Sequence, residues 1–333
     1  MADSGAPSYR PARAADLTPC GGVWRASIAD YLGRLNIPFE QADLEPLRRI
    51  LGHFLVTDPD RFWVATRPGR TGRDRDRVRP GEGGGDGDCI VGFGSAHLRG
   101  PTWFLAMLFV DPVEQAAGIG RALLERTLDG ADGRILGTAT DSAQPISNAL
   151  YAGLGIVPRM PCLNLVGRPD EPGALPALPA GIRPALFAEV AGDGGADAPG
   201  AAALAASIEA VDREVVGYER PADHAWLLDD RRIGWLYRDA SGGVVGYGYV
   251  SRIGRIGPVA AIEPSLLPPI VGHLLDAYIP PGASSLWVPG QAGDVVRSLI
   301  RAGLRLEPFP ALLCWTEPIA AFDRYLPISL AIV

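Results

Sequence analysis

Two glycines, Gly118 and Gly120, stand one residue apart in the stretch Gln115-Ala116-Ala117-Gly118-Ile119-Gly120-Arg121. They directly precede an amphipathic helical pattern, ALLERTL, and follow the apolar run WFLAMLFV, which ends at Asp111-Pro112. The order is strand, loop, glycines, helix. A helix N-terminus leaves backbone N–H groups without intrahelical acceptors and carries a partial positive charge, so it attracts anions, phosphate above all. Glycine lets the chain take positive φ and approach a ligand closely. No lysine follows in GK[ST] form, which excludes a P-loop. The GxGxxG fingerprint and its acidic ribose partner are also absent, which excludes a dinucleotide unit. What remains is the wider pattern DPxxQxxGxGxxLL, set to hold a pyrophosphate on the amides of residues 116–121.

A second group of candidate residues lies downstream. Tyr151 falls within QPISNALYAGLGI, residues 144–156, on an amphipathic helical pattern. A tyrosine there is either a packed aromatic or a proton donor. Asp141, at a strand end before that helix, and His97, at the end of CIVGFGSAH, are candidate bases; each also reads as structural or solvated. The run Trp103–Val110 has no ionisable side chain. Cys20, Cys89, Cys162 and Cys314 are isolated, and no His/Cys cluster has zinc spacing, so no metal site is expected and the thiols read as reduced.

These residues need elements to position them, and the chain repeats its elements. Val91-Gly-Phe-Gly94 returns as Val245-Gly-Tyr-Gly248, and Ala152-Gly-Leu154 as Ala302-Gly-Leu304, at offsets of 154 and 150 residues. Each half reads as a short strand (7–13; 181–186), then helices (17–35 and 44–56; 201–216 and 222–229). Strands follow: RFWVAT, CIVGFGSAHL and WFLAMLFV in the first half, RIGWLYR, GVVGYGYVS and IGPVAAI in the second. A helix, a strand (RILGTAT; SSLWVPG), another helix and closing strands end each half. The fold class is α/β (α+β), two tandem domains, each with a mixed, mostly antiparallel central sheet flanked by helices. The domains are 1–168 and 181–333, joined by a Pro/Gly-rich linker at 169–180. Residues 67–88 are charged and glycine-rich and read as a hairpin loop; their arginines either meet a phosphate or stay solvated.

Composition narrows the classes. The 333 residues are 47% hydrophobic and 21% charged, with a formal net charge of −7. An acidic chain is poorly suited to nucleic acid. No run of about 18 apolar residues or signal-type N-terminal core is present, so the expectation is a cytoplasmic protein with no nucleic-acid or membrane partner.

LFVDPVEQAAGIGRALLERTL resembles the acetyl-CoA-binding motif of the GNAT superfamily of N-acetyltransferases, Q/R-x-x-G-x-G/A, and residues 7–168 resemble that fold throughout. The second half resembles the fold without the motif, so the whole resembles a tandem-GNAT protein. The resemblance implies acetyl-CoA as cosubstrate and a small-molecule or peptide amine as acceptor. It implies that the backbone of Leu108, Phe109 and Val110 holds the pantetheine arm, and that Gln115, Ala116, Ala117, Gly118, Ile119, Gly120 and Arg121 cradle the pyrophosphate. A second family pattern, N-x-x-A-x-x-L-Y-x-x-x-G-F, is matched by Leu150, Tyr151 and Gly155, with Gln144 replacing asparagine as a cofactor-arm contact and Ser147 replacing alanine. Tyr151 would protonate the departing CoA thiolate. The glutamate that the family often carries on the strand before the loop is absent. A homodimer is compatible with the resemblance.

The second half differs at both signatures. After IGPVAAI comes EPSLLPPIVGHLLDAYI, with no Gly-x-Gly, and DVVRSLIRAGL places Ile300 or a neighbour where the tyrosine is wanted. This half is expected to lack an acetyl-CoA site and to brace the first. Trp226, Trp235, Tyr237, Tyr247 and Tyr249 are expected either to line an acceptor pocket or to fill a core. A non-catalytic acyl-CoA-binding module and a scaffold are the alternative readings.

Overall fold

The computed structural model describes residues 6–39, 43–68, 88–192 and 199–333. The arginines between residues 69 and 87, candidates for phosphate contact, lie outside these. The chain divides into two compact units, Met1–Leu98 with Trp103–Arg134, and Arg99–Thr102 with Ile135–Val333.

The first unit opens with β1 (Ser8–Pro11) and two helices, α1 (Leu17–Arg34) and α2 (Glu45–Thr57). In α2, Ile50, Leu51 and Phe54 recur at helical spacing and are buried, and Pro46 sits in the first turn, where its missing N–H costs nothing. Then come β2 (Phe62–Pro68), β3 (Asp88–Arg99), β4 (Thr102–Val110) and α3 (Ile119–Thr127). Sheet order is β1-β2-β3-β4, with β1/β2 and β2/β3 antiparallel. Helix α3 buries Ile119, Leu123, Leu124 and Thr127.

The second unit contains β5 (Ile135–Asp141), α4 (Pro145–Ala152), β6 (Val157–Gly167), β7 (Arg183–Leu186), α5 (Phe187–Ala191), α6 (Pro199–Val215) and α7 (Pro221–Asp229). It continues with β8 (Ile233–Arg238), β9 (Val244–Val250), β10 (Arg255–Ala261), α8 (Leu267–Ala277), β11 (Ser284–Pro289), α9 (Gly293–Arg301), β12 (Arg305–Leu306), β13 (Ala311–Trp315) and β14 (Tyr325–Leu326). Its strand order is β5-β13-β6-β11-β10-β9-β8-β7, with β12 on β6 and β14 on β10. The pairs are antiparallel except β10/β11. The sheet is therefore mixed and mostly antiparallel, flanked by helices, as expected.

Where the compact units divide follows from β13. This strand, near the end of the chain, lies between β5 and β6, with Ala311 opposite both Asp141 and Cys162 and Trp315 opposite both Gly137 and Val157. It ties residues 135–167 to the second half. The break in contacts therefore falls at Arg134, and the expected linker, 169–180, lies inside the second unit.

The repeated Val-Gly-aromatic-Gly motif has one physical cause in both halves. A Cβ on Gly92 would stand 3.1 Å from Leu123 and 3.3 Å from Ile119, and one on Gly94 3.3 Å from Thr127, all on α3. A Cβ on Gly246 would stand 2.9 Å from Ile270, and one on Gly248 2.5 Å from Leu274, both on α8. The glycines let each helix lie close on its sheet.

In the second unit, Trp235, Tyr237, Tyr247 and Tyr249 are buried in the core, and Trp226 is half-buried. Beneath the tyrosines lies a sealed polar network. Arg220 donates to both carboxylate oxygens of Asp212, at 3.0 and 3.1 Å, and to the hydroxyls of Tyr325 (2.7 Å) and Tyr247 (3.0 Å). His224 bonds Asp212 and Tyr249, both at 2.8 Å, and Tyr247 donates to Asp212. Burial alone would raise the Asp212 pKa; Arg220 and His224 outweigh it and hold the carboxyl well below the ordinary range. Removing either partner of such a pair leaves a buried uncompensated charge, a loss of about 3–5 kcal/mol. Among the described residues, no helix is long and apolar enough to cross a membrane, and no group of three or more His, Cys, Asp or Glu is placed to hold a metal ion.

Candidate functional site

The loop between β4 and α3 is built from short-range bonds. Asp111 accepts from the Val113 N–H at 3.1 Å and starts a 3-10 turn, Pro112–Glu114. Gln115 turns its amide back and donates to the Val110 carbonyl at 3.1 Å. Arg67 braces the turn through Glu114 at 2.8 Å. Ala116 then takes φ +65° and Gly118 φ +79°, the second as the N-cap of α3. Two left-handed residues this close turn successive N–H groups to one side, the geometry of an anion-binding nest. The N–H groups of residues 115–121 donate to no acceptor among the described residues. Residues 115–118 and Arg121 are exposed, and a Cβ on Gly118 would meet nothing within 4 Å. Open space, free donors and a helix N-terminus coincide, which fits a pyrophosphate.

The strand before the loop distributes its backbone unevenly. The Asp111 N–H donates to Val91 on β3 at 2.9 Å. Backbone groups alternate sides along a strand, so the Phe109 backbone points toward β3, while those of Leu108 and Val110 point the other way. The Phe109 ring packs on Phe93 at 5.6 Å. The Val110 carbonyl accepts from Ser27 Oγ at 2.9 Å as well as from Gln115. Ser27, on α1, carried no motif and was not legible as part of this arrangement.

His97 lies in the core, its ring stacked between Phe54 and Phe104 with centroids 5.5 and 5.4 Å away. It stands six residues along β3 from Val91, about 20 Å at 3.3 Å per residue, so the structure does not bring it to the loop.

Asp141 ends β5 and shapes the entry to α4. Its Oδ1 accepts from the Ala143 N–H at 3.1 Å, and its carbonyl accepts from Gln144 and Asn148. Its Oδ2 has no partner among the described residues. Gln144 is the N-cap of α4, and its own carbonyl accepts from the Asn148 amide at 2.8 Å. Tyr151 is buried, 5% exposed. Burial raises its phenol above the ordinary value, partly opposed by a hydrogen bond from Ser147, so the hydroxyl stays protonated at neutral pH. Ser147, where the family pattern has alanine, therefore acts on the tyrosine directly. Cys314 of β13 lies close to the phenol, and burial pushes its thiol up to about 11.

The second half can be compared turn for turn. Ile156 N–H bonds the Tyr151 carbonyl at 3.2 Å, and Leu304 N–H bonds the Leu299 carbonyl at 3.0 Å. Both close at a left-handed glycine, Gly155 or Gly303. The counterpart of Tyr151 is thus Leu299, fully buried, rather than Ile300. Strand β10, the counterpart of β4, runs into residues 262–266, where no residue has positive φ. It pairs with β11 only at Arg255 and Ile256; farther along, Val259 and Ala260 pair with Leu326 and Tyr325 of β14. The edge that a pantetheine arm would need is taken by the chain's own backbone.

Fold and loop together give a mixed α/β protein whose loop between β4 and α3 has the geometry of an anion-binding nest. Residues 38–156 match the family model described as the acetyltransferase (GNAT) family. The chain is similar to a "putative acetyltransferase" from Pyrococcus horikoshii (TM-score 0.67, 15% identity, 98% of this chain and 96% of that one). It is similar to a GCN5-related N-acetyltransferase from Sphaerobacter thermophilus (TM-score 0.57, 17% identity, 96% and 98%). It is also similar to a tandem GNAT protein from the clavulanic acid biosynthesis pathway (TM-score 0.52, 15% identity, 94% and 99%). Among curated proteins, an octanoyltransferase of Mycolicibacterium paratuberculosis is 29% identical over 127 residues, 36% of this chain; the match spans about half, 54%, of that relative's length. Residues 38–156 thus match the GNAT family model, and the chain as a whole is similar in fold to a tandem GNAT protein.

Proposed function

We propose that this protein transfers an acetyl group from acetyl-CoA to a primary amine, using the cradle of its first half. The observation that carries this reading is the run of free N–H groups at 115–121 around the left-handed residues Ala116 and Gly118. The amides of Ala116 to Arg121 hold the pyrophosphate, and backbone groups of Leu108 and Val110 at the end of β4 hold the pantetheine arm. When bound, acetyl-CoA supplies a thioester carbonyl that an amine can attack. An N–H of Leu108 or Val110 is the donor for the oxygen on which negative charge develops. Asp141, with Oδ2 uncommitted, is the base we assign for the ammonium proton, in preference to the packed His97. Tyr151, kept neutral by burial, delivers a proton to the leaving thiolate. Gln144 is positioned at the start of the Tyr151 helix, and the second half carries no cosubstrate. Acyl-chain preference is tested on a donor panel that includes octanoyl-CoA.

A non-catalytic acyl-CoA-binding role is favoured by one observation, the strand Trp103–Val110 with no ionisable group. The variant Tyr151→Phe separates the two. Turnover with an amine panel is expected to fall about 10²-fold, with acetyl-CoA affinity unchanged by calorimetry. Equal turnover in the variant would return Tyr151 to a packing role; no turnover in the wild type with any amine would favour the binding role.

A further inference from the structure

The turn that joins β3 to β4 carries a contact that the cradle does not explain. Arg99 grips Asp223 of α7 with two nitrogens: Nε lies 3.0 and 2.9 Å from the two carboxylate oxygens, and Nη2 lies 2.8 Å from Oδ1. The side chains are 9% and 3% exposed, so this is a buried, bidentate pair rather than a solvated surface contact. Asp223 lies in the first turn of α7, where the helix favours a negative charge. The next residue, Gly100, at φ +51°, lies against Tyr218 so closely that a Cβ would stand 2.4 Å from the tyrosine. Pro101 then accepts from the N–H of Ile135 at 3.1 Å. Thr102 opens β4, and Ile135 opens β5. Residues 99–102 thus have one side fastened to α7 and the other to the first residue of β5, and they belong by contact to the second unit.

We propose that the Arg99–Asp223 pair is a positioning clamp for acyl transfer: it fixes the turn that sets the start of β4, and through that strand the backbone of Leu108 and Val110. It rests on the reading that β4 holds the cosubstrate arm. A degenerate half then contributes to chemistry without binding cosubstrate, through a carboxylate that touches no substrate. Small displacements matter here, because misplacing a reacting group by about 1 Å costs on the order of 10²-fold in rate.

The test uses the full-length chain carrying Asp223→Asn, with Arg99→Lys as a milder variant that keeps the charge and loses the fork. Hydrogen exchange is followed at residues 103–110 and, as a reference, at 267–275 in α8. Exchange at 103–110 is expected to rise about tenfold or more in Asp223→Asn with the reference unchanged, the pattern of local opening. Acetyl-CoA affinity is expected to fall about tenfold by calorimetry, and Arg99→Lys to lie between the variant and the wild type. Unchanged exchange at 103–110, or a rise shared equally with 267–275, would overturn the clamp, the second result showing a loss of global stability alone. A wild type that binds no acetyl-CoA would instead overturn the proposed function, and the exchange comparison would still decide the clamp.

Discussion

Gly118→Asp is expected to abolish acetyl-CoA binding while leaving the fold intact. The reasons are separable. A Cβ at this position meets no atom within 4 Å, so nothing in the loop is pushed aside. The φ of +79° strains a non-glycine residue by about 1–2 kcal/mol. A carboxylate at the N-cap of α3 returns about 0.3–1 kcal/mol through the helix dipole. The melting temperature should therefore shift by only a few degrees. Binding is a different matter, because the new carboxylate stands among the N–H groups meant for a pyrophosphate. Like charges set against each other cost several kcal/mol, a loss of roughly 10²–10³-fold in affinity. Gly118→Ala is the control, sharing the backbone strain without the charge, and should weaken binding by about tenfold at most. Equal affinity in Gly118→Asp and the wild type would place the pyrophosphate elsewhere.

A fragment ending at residue 168 is expected not to fold, although it contains the whole cradle and Tyr151. The missing strand is β13. Without residues 311–315, β5 and β6 lose the partner between them, and two strand edges are left open. Loss of β11 also uncovers β6 from Cys162 to Gly167. Leu313 is fully buried and Cys314 nearly so; burying a leucine side chain is worth about 1.5–3 kcal/mol. Open hydrophobic edges recruit other chains. Against a total stability of about 5–15 kcal/mol, these losses leave no stable native state for residues 135–168. The fragment should be recovered as aggregate or show no cooperative thermal transition by circular dichroism. A soluble 1–168 fragment with a cooperative transition and acetyl-CoA binding would contradict the strand exchange.

What was legible in the sequence was local. The loop before α3 could be read because its parts lie within eleven residues of chain, Asp111 to Arg121, and its left-handed turns and side-chain bonds are all short-range. The doubling could be read because the same glycine spacing recurs, and the structure supplies the cause in the close packing of α3 and α8. What could not be read depends on pairing. ALLCW reads as a closing strand from its apolar run, but no local feature says that it lies between β5 and β6. That Phe109 faces β3 while Leu108 and Val110 do not is a matter of register, fixed by one bond from Asp111 to Val91. The network of Asp212, Arg220 and His224 joins side chains with Tyr325, more than a hundred residues away. One signal for it was present: Asp212 lies on the apolar stripe of α6 with Leu204, Ile208, Val211 and Val215, where a lone carboxylate must find a buried partner. His97 ends an alternating strand and looked available for chemistry; two aromatic rings that pack on it were not visible from the strand alone.

The central claim is that one half of a doubled fold holds acetyl-CoA, while in the other half β14 fills the edge of β10. Calorimetric titration of the intact protein with acetyl-CoA tests it most directly, through stoichiometry. The account predicts one site per chain, lost in Gly118→Asp. Two sites per chain, or a single site that survives Gly118→Asp, would contradict it.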